Sequence, residues 1–411
     1  MKASRFPLRK IFGFSGLPVL SALSPILVLP ALTAAVGVEG WASIAIGMSI
    51  GMASALVVNY GWGVLGPGEV AGASANERAA IYRSSLKMRL ILIAAVAPFA
   101  FVLAVLLDRS SDPGAGLMAL AMASAGLSPV WYFIGTSSPL QVALWDTAPR
   151  IIASVISLAA LQVWRSTITY PVVLLIITMG ASITIGLILS RSVAGEVPIE
   201  RDRDRIRTAF KEQTSLVLSG ALSSTYTSLS ITLVSLVNFP AVPVFAAADR
   251  IRAMAKQGSM AVGNGFQGWV GEAKGNWFQQ RKRMVMAFLV LSLVGLLMFL
   301  IVSIALPPFS QFLFGNQLRV DSATAIFAGC ALLFTCMTIS TSFHILAPLK
   351  QSKVIAVATA IGACVGAPAI LGGAAWFGAA GGMAGLAAAE AVVLSIETIA
   401  CWRLLRRTSR P

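Results

Sequence analysis

The sequence predicts an all-α polytopic membrane protein with about twelve transmembrane helices in two six-helix lobes. Three observations predict it. The 411 residues are 57% hydrophobic and 11% charged, with mean hydropathy +0.83, whereas soluble domains carry roughly 25% charged residues. Apolar runs of about 17–25 residues, the length that crosses a hydrocarbon core of about 30 Å, recur from one end of the chain to the other. The charges fall between those runs.

The runs lie near 11–34, 42–64, 89–107, 116–136, 147–164, 169–190, 214–237, 241–266, 285–306, 323–347, 354–376 and 380–402. The first follows basic residues but is longer than the apolar core of a cleavable signal peptide, so it reads as helix one. With the amino terminus in the cytoplasm, 25 of the 31 basic residues lie on the inner side. Three, Arg109, Arg165 and Arg319, lie outside, and three more sit inside helix eight. That asymmetry predicts a cytoplasmic-membrane protein with both termini cytoplasmic. It also argues against nucleic acid as a partner despite the net charge of +15, because the charge is spread over short cytoplasmic segments and not gathered on one face. Cys330, Cys336, Cys364 and Cys401 lie in or beside apolar runs without metal-ligand spacing, so no metal and no cofactor are expected.

The longest polar segment, residues 190–213, follows helix six and contains "ERDRDRIR". It suggests an amino-terminal lobe (1–190), a cytoplasmic linker (191–213) and a carboxy-terminal lobe (214–411). At an offset of 200 the loops after helices two and eight share Val70/Val270, Ala73/Ala273, Asn76/Asn276 and Arg83/Arg283. Repeated halves with a substrate site between them are common in transporters. Every outer loop is short, the longest near 307–321, which leaves no room for an external catalytic domain. The chain is therefore expected to be a transporter and not an enzyme such as a membrane polysaccharide polymerase.

Helix eight contains "FAAADRIRAMAKQ" (245–257). A charge at the centre of a membrane helix costs roughly 2.5–3.5 kcal/mol on insertion scales, so Asp249, Arg250, Arg252 and Lys256 need partners or water. At about 100° per residue, Asp249, Arg252 and Lys256 share one stripe and Arg250 stands about 100° away. Asp249 and Arg252 can pair at i,i+3, which leaves surplus positive charge suited to a phosphate. The competing reading is a short helix entering at Ala247, with the cations at the cytoplasmic rim. In helix twelve, Glu390 is either a proton-titrating carboxylate or a partner for those cations, while Glu397, nearer the cytoplasmic end, is expected to snorkel. His344 is a proton-relay candidate or a structural histidine. Trp131 and Trp145 are expected at the membrane interface. Gly362, Gly366 and Pro368 interrupt helix eleven, either as a place where it bends or, for the glycines, as small residues for close helix packing.

The stretches "NYGWGVLGPGEVA" (59–71), "LSPVWYFIGTSSPLQVALWDTAPRIIASVISL" (127–158) and "FAAADRIRAMAKQ" together resemble the Wzx-type lipopolysaccharide and O-antigen flippases of the multidrug/oligosaccharidyl-lipid/polysaccharide (MOP) exporter superfamily. The matches are Tyr60-Gly61, Pro129 to Gly135, and Ala248-Asp249-Arg250-Ile251. The resemblance implies a MOP flippase-like fold. It also implies a polyprenyl-diphosphate-linked oligosaccharide as substrate, and a polysaccharide polymerase or glycosyltransferases of the same pathway as partners.

On that reading Asp249, Arg250, Arg252 and Lys256 line the substrate cavity, and Glu390, Asp249 and His344 are candidates for proton coupling. Nothing basic occurs between Lys10 and Arg78. The amino-terminal lobe is thus expected to supply polar groups, Asn59 and Tyr60, with Arg150 at the inner mouth. A drug or metabolite exporter of the same superfamily is the alternative; export of amphiphilic cations would call for a negatively charged cavity.

Overall fold

The computed structural model describes residues 8–109, 112–191, 223–224, 226–273 and 276–407. Among them every regular element is helical, and eight helical stretches are long and apolar enough to cross a membrane. The chain divides into two compact units, Met1–Ala221 and Leu222–Pro411. The linker expected at 191–213 and the beginning of helix seven fall, apart from Arg191, outside the described residues.

In the amino-terminal unit, α1 (Leu8–Asn59) is interrupted at Gly37, whose φ of 72° and ψ of −174° are neither helical nor accessible to a residue with a Cβ. Its second arm, residues 38–59, runs parallel to α4 (Gly114–Ala123). Gly47 and Gly51 bring the two backbones together, and an added Cβ would stand 2.2 Å from the Ala115 carbonyl oxygen and 2.5 Å from that of Ala119. A tight corner at Tyr60 and Gly61, both with positive φ, ends the arm earlier than expected and turns the chain into the short α2 (Trp62–Ala71). α3 (Ala75–Leu107) begins 14 residues before the apolar run at 89. Here the Ser74 N–H donates to Glu77 Oε2 at 2.9 Å, a local bond that organises the first turn. The "PVWYFIG" stretch forms α5 (Val130–Gly135) with Pro129 at its N-cap, and a 3₁₀ turn (Ser124–Leu127) precedes it. α6 (Pro139–Val142) passes through a π turn, Ala143–Thr147, into α7 (Ala148–Val163), and α8 (Thr169–Arg191) follows.

In the carboxy-terminal unit α9 (Ser230–Val237) precedes α10 (Val242–Gly271), α11 (Trp277–Leu313) and α12 (Ser322–Ser340). α12 runs into a π turn, Thr341–Leu346. α13 (Ser352–Arg407) is broken at Gly378, with φ of 59° and ψ of −139°. Its two arms fold back on each other: added Cβ atoms on Gly362 and Gly366 would strike Val393 and Ala389, and one on Gly373 would lie 2.2 Å from the Gly381 carbonyl oxygen. These contacts pair residues symmetrically about Gly378, which defines an antiparallel hairpin built on small residues.

The matching loops at 70 and 270 have matching geometry. Ala73 N–H donates to the Val70 carbonyl at 3.3 Å, and Ala273 N–H to the Val270 carbonyl at 3.3 Å. In each unit an arginine of the next helix then reaches back to the helix end, Arg78 to Val70 O at 3.0 Å and Arg283 to Trp269 O. A cation on the free carbonyls of a helix C-terminus is favourable.

Candidate functional site

α10 is one uninterrupted helix of 30 residues with Lys256 at its midpoint, about 45 Å long. The helix thus begins before Ala247 and continues well past Lys256. Phe245 to Ala248 are buried, and the charged stripe lies on the same inward face: Asp249 is 8% and Arg252 3% exposed. Arg252 donates from Nε at 2.9 Å and from Nη2 at 2.7 Å to a single oxygen of Asp249. Lys256, a turn further on, is half-buried and makes no hydrogen bond among the described residues. It shares electrostatic reach with Glu390, which comes from the second arm of α13 and is 4% exposed. The stripe therefore faces the interior of its own unit and meets an acidic residue there. Its positive surplus is largely offset.

The same interior holds Glu397, fully buried. Both Thr341 Oγ1 and Ser342 Oγ, the first residues of the π turn, donate to its carboxylate, Ser342 at 2.7 Å. It does not snorkel, because the π turn brings two hydroxyls to it in a place water does not reach. His344, in the same turn and fully buried, bonds through Nε2 to the Gly263 carbonyl of α10 at 2.9 Å and packs edge-on against Phe266. Through these bonds the π turn ties α12 to α13 and α10.

The opposite face of α10 is open. Arg250, Gln257 and Asn264 follow one another at intervals of seven along it, Gln257 and Asn264 exposed and Arg250 half-buried. Residues seven apart on a helix lie within about 20° of one line. Gly258 and Gly265 on that side have nothing within 4 Å of an added Cβ.

In the amino-terminal unit Asn59 Oδ1 accepts the Gly63 N–H at 2.8 Å, so its side chain braces the corner that also holds Tyr60. Arg150 pairs with Asp146 at 3.1 Å, and Ser128 Oγ donates to the same Asp146 oxygen at 2.8 Å. These three line a small polar cavity with Ser124, Thr178 and Ser182. Asp146 stands in the π turn before α7; its i,i+4 spacing from Arg150 was visible in the sequence, its bond to Ser128 was not.

Trp131 is 2% exposed, not interfacial: it lies 5.1 Å from Trp62 and 6.0 Å from Tyr82, ring to ring. Trp145 is half-buried and donates from Nε1 to Gln141. Arg89, one of the 25 basic residues counted on the inner side, is fully buried within α3. The signature Ser74-Ala75-Asn76-Glu77 marks the true start of α3 and could have placed Arg89 inside it.

Taken together, the helical architecture is similar in fold to that of several solved membrane proteins. An inward-facing multidrug-resistance MATE family transporter of the MOP superfamily matches with a TM-score of 0.60 at 15% identity, over 96% of each chain. The eukaryotic MATE transporter AtDTX14 matches with a TM-score of 0.60 at 14% identity, over 98% of each. The lipid II flippase MurJ in an inward closed conformation matches with a TM-score of 0.68 at 14% identity, over 95% of this chain and 87% of that one. No family model and no curated protein matches the sequence.

Proposed function

We propose that this protein is a flippase that moves a polyprenyl-diphosphate-linked oligosaccharide across the cytoplasmic membrane for surface polysaccharide synthesis. It works by alternating access of two six-helix lobes, with both termini in the cytoplasm. The observation that carries the reading is the line Arg250, Gln257 and Asn264 on the open face of α10. Such a line is unfavourable against lipid tails. An arginine can hold a diphosphate through paired hydrogen bonds, and the amides that continue the line offer donors and acceptors to sugar hydroxyls. The stripe Asp249, Arg252 and Lys256 then acts as the charged interior that supports this face, with Glu390 and His344 beside it, and the contribution of Asn59, Tyr60 and Arg150 is secondary.

A second reading, export of amphiphilic cations, is favoured by one observation: Glu390 is a buried carboxylate with no hydrogen bond among the described residues.

The two readings separate in proteoliposomes. Flipping of a fluorescent polyprenyl-diphosphate oligosaccharide by wild type, and its loss in folded Arg250→Gln and Asn264→Leu variants, is the expected result. Efflux of an amphiphilic cation without flipping of any of several glycolipids, with an ion gradient imposed, would replace the flippase by the exporter.

A further inference from the structure

At one end of the carboxy-terminal unit, the last residues of α10, the start of α11, the π turn after α12 and both ends of α13 meet around a single apolar cluster. Val270, Met284, Ile345, Leu346 and Cys401 are its buried part, and Leu349, Val354 and Leu404 pack against it. The residues beside these in sequence are basic. Arg281 and Lys282 precede Met284, Lys350 and Lys353 stand between Leu349 and Val354, and Arg403 lies between Cys401 and Leu404.

All five cations are exposed, and among the described residues their side chains make no hydrogen bond and no ion pair. The acidic residues of the same segments are engaged elsewhere. Glu272 pairs with Arg283 at 3.4 Å, and Glu397 is buried against Thr341 and Ser342. In the amino-terminal unit, by contrast, Arg78 is held by the Val70 and Ala71 carbonyls and Arg150 by Asp146.

Helix stability does not account for the free cations. Arg281 and Lys282 lie in the second turn of α11 and Lys353 in the first turn of α13, and neither helix has an acidic residue in its first turn. A cation near a helix N-terminus is opposed by the backbone dipole, so the charge there calls for a partner outside the chain.

The same end carries exposed aromatic rings. Phe278 is 77% and Trp402 54% exposed, and the guanidinium carbon of Arg406 lies 3.8 Å from the centre of the Trp402 ring. Aromatic rings and cations at the ends of membrane helices sit at headgroup level. A soluble anion would use the cations alone, whereas a phospholipid also covers the rings with its glycerol and upper chains.

We propose that this end of the carboxy-terminal unit is a binding surface for anionic phospholipid, whose phosphates lie against Arg281, Lys282, Lys353 and Arg403. Each Lys or Arg beside an anionic lipid surface strengthens binding by about fivefold, so the surface selects anionic over zwitterionic headgroups. The inference does not depend on what the protein transports.

The test uses the full-length protein in detergent, supplied with phosphatidylglycerol or with phosphatidylcholine of identical chains. Native mass spectrometry counts the retained lipids, and thermal unfolding follows Tm. Phosphatidylglycerol should be retained in preference and should raise Tm more. The triple variant Arg281→Gln/Lys282→Gln/Lys353→Gln should bind it about a hundredfold more weakly, with phosphatidylcholine binding unchanged. Arg319→Gln, which removes an exposed cation beyond the far end of α11, should bind phosphatidylglycerol as the wild type does. Equal retention of the two lipids would overturn the proposal. So would undiminished binding in the triple variant, weakened binding in Arg319→Gln, or the same rise in Tm from inorganic phosphate alone. If the triple variant does not fold, Lys353→Gln alone should show the fivefold loss, and its absence would overturn the proposal equally.

Discussion

Arg252 gives two hydrogen bonds to one oxygen of Asp249, three residues earlier on α10, and both side chains are withdrawn into their own unit. Removing one partner of a buried pair leaves an uncompensated charge, at a cost of about 3–5 kcal/mol. Arg252→Ala should therefore lower Tm strongly in detergent, and Asp249→Asn/Arg252→Met should recover most of the loss. Equal destabilisation by the single and double variants would mean that the pair is not the source.

The hairpin in α13 should be sensitive at two places for different reasons. At Gly378 the positive φ makes alanine strained, at about 1 kcal/mol. At Gly373 an added Cβ collides with backbone that has no rotamer to move, and overpacking of this kind costs about 1–3 kcal/mol. Thermal unfolding of Gly378→Ala and Gly373→Ala should rank the second as the more damaging.

Glu397 should behave as a structural acceptor. Glu397→Ala leaves the Ser342 hydroxyl buried without its acceptor, whereas Thr341 Oγ1 keeps the Thr338 carbonyl at 3.1 Å, a penalty of about 1–3 kcal/mol. Glu397→Gln keeps one acceptor oxygen and should cost less. If Glu397→Gln matches Glu397→Ala in Tm, the hydroxyl bonds do not hold the π turn.

Asn59 lies in a stretch with family resemblance, yet its side chain caps the corner before α2. Asn59→Ala should cost about 1 kcal/mol of stability, as loss of a helix cap does, and Asn59→Asp, which retains the acceptor, should be nearly neutral. Transport that falls equally in both variants at unchanged Tm would put Asn59 on the substrate path instead.

Apolar runs and the i,i+3 spacing of Asp249 and Arg252 determined the membrane class, the helical composition and one ion pair, because each depends on residues close in sequence. Helix ends such as the start of α3 were legible too, through the capping residues at 74–77, although the apolar run alone placed that start at 89. What the sequence could not decide was which way a charge faces and what it meets. Arg252 and Glu390 are 138 positions apart, as Glu397 and Thr341 are 56, and only folding of α13 at Gly378 brings both glutamates into the interior behind α10. Tertiary structure thus turned an apparent cationic stripe into a nearly balanced buried cluster and moved the open polar face to Arg250, Gln257 and Asn264. It buried Arg89 for the same reason: desolvation depends on every neighbour that excludes water, and those neighbours are set by packing, not by the local sequence.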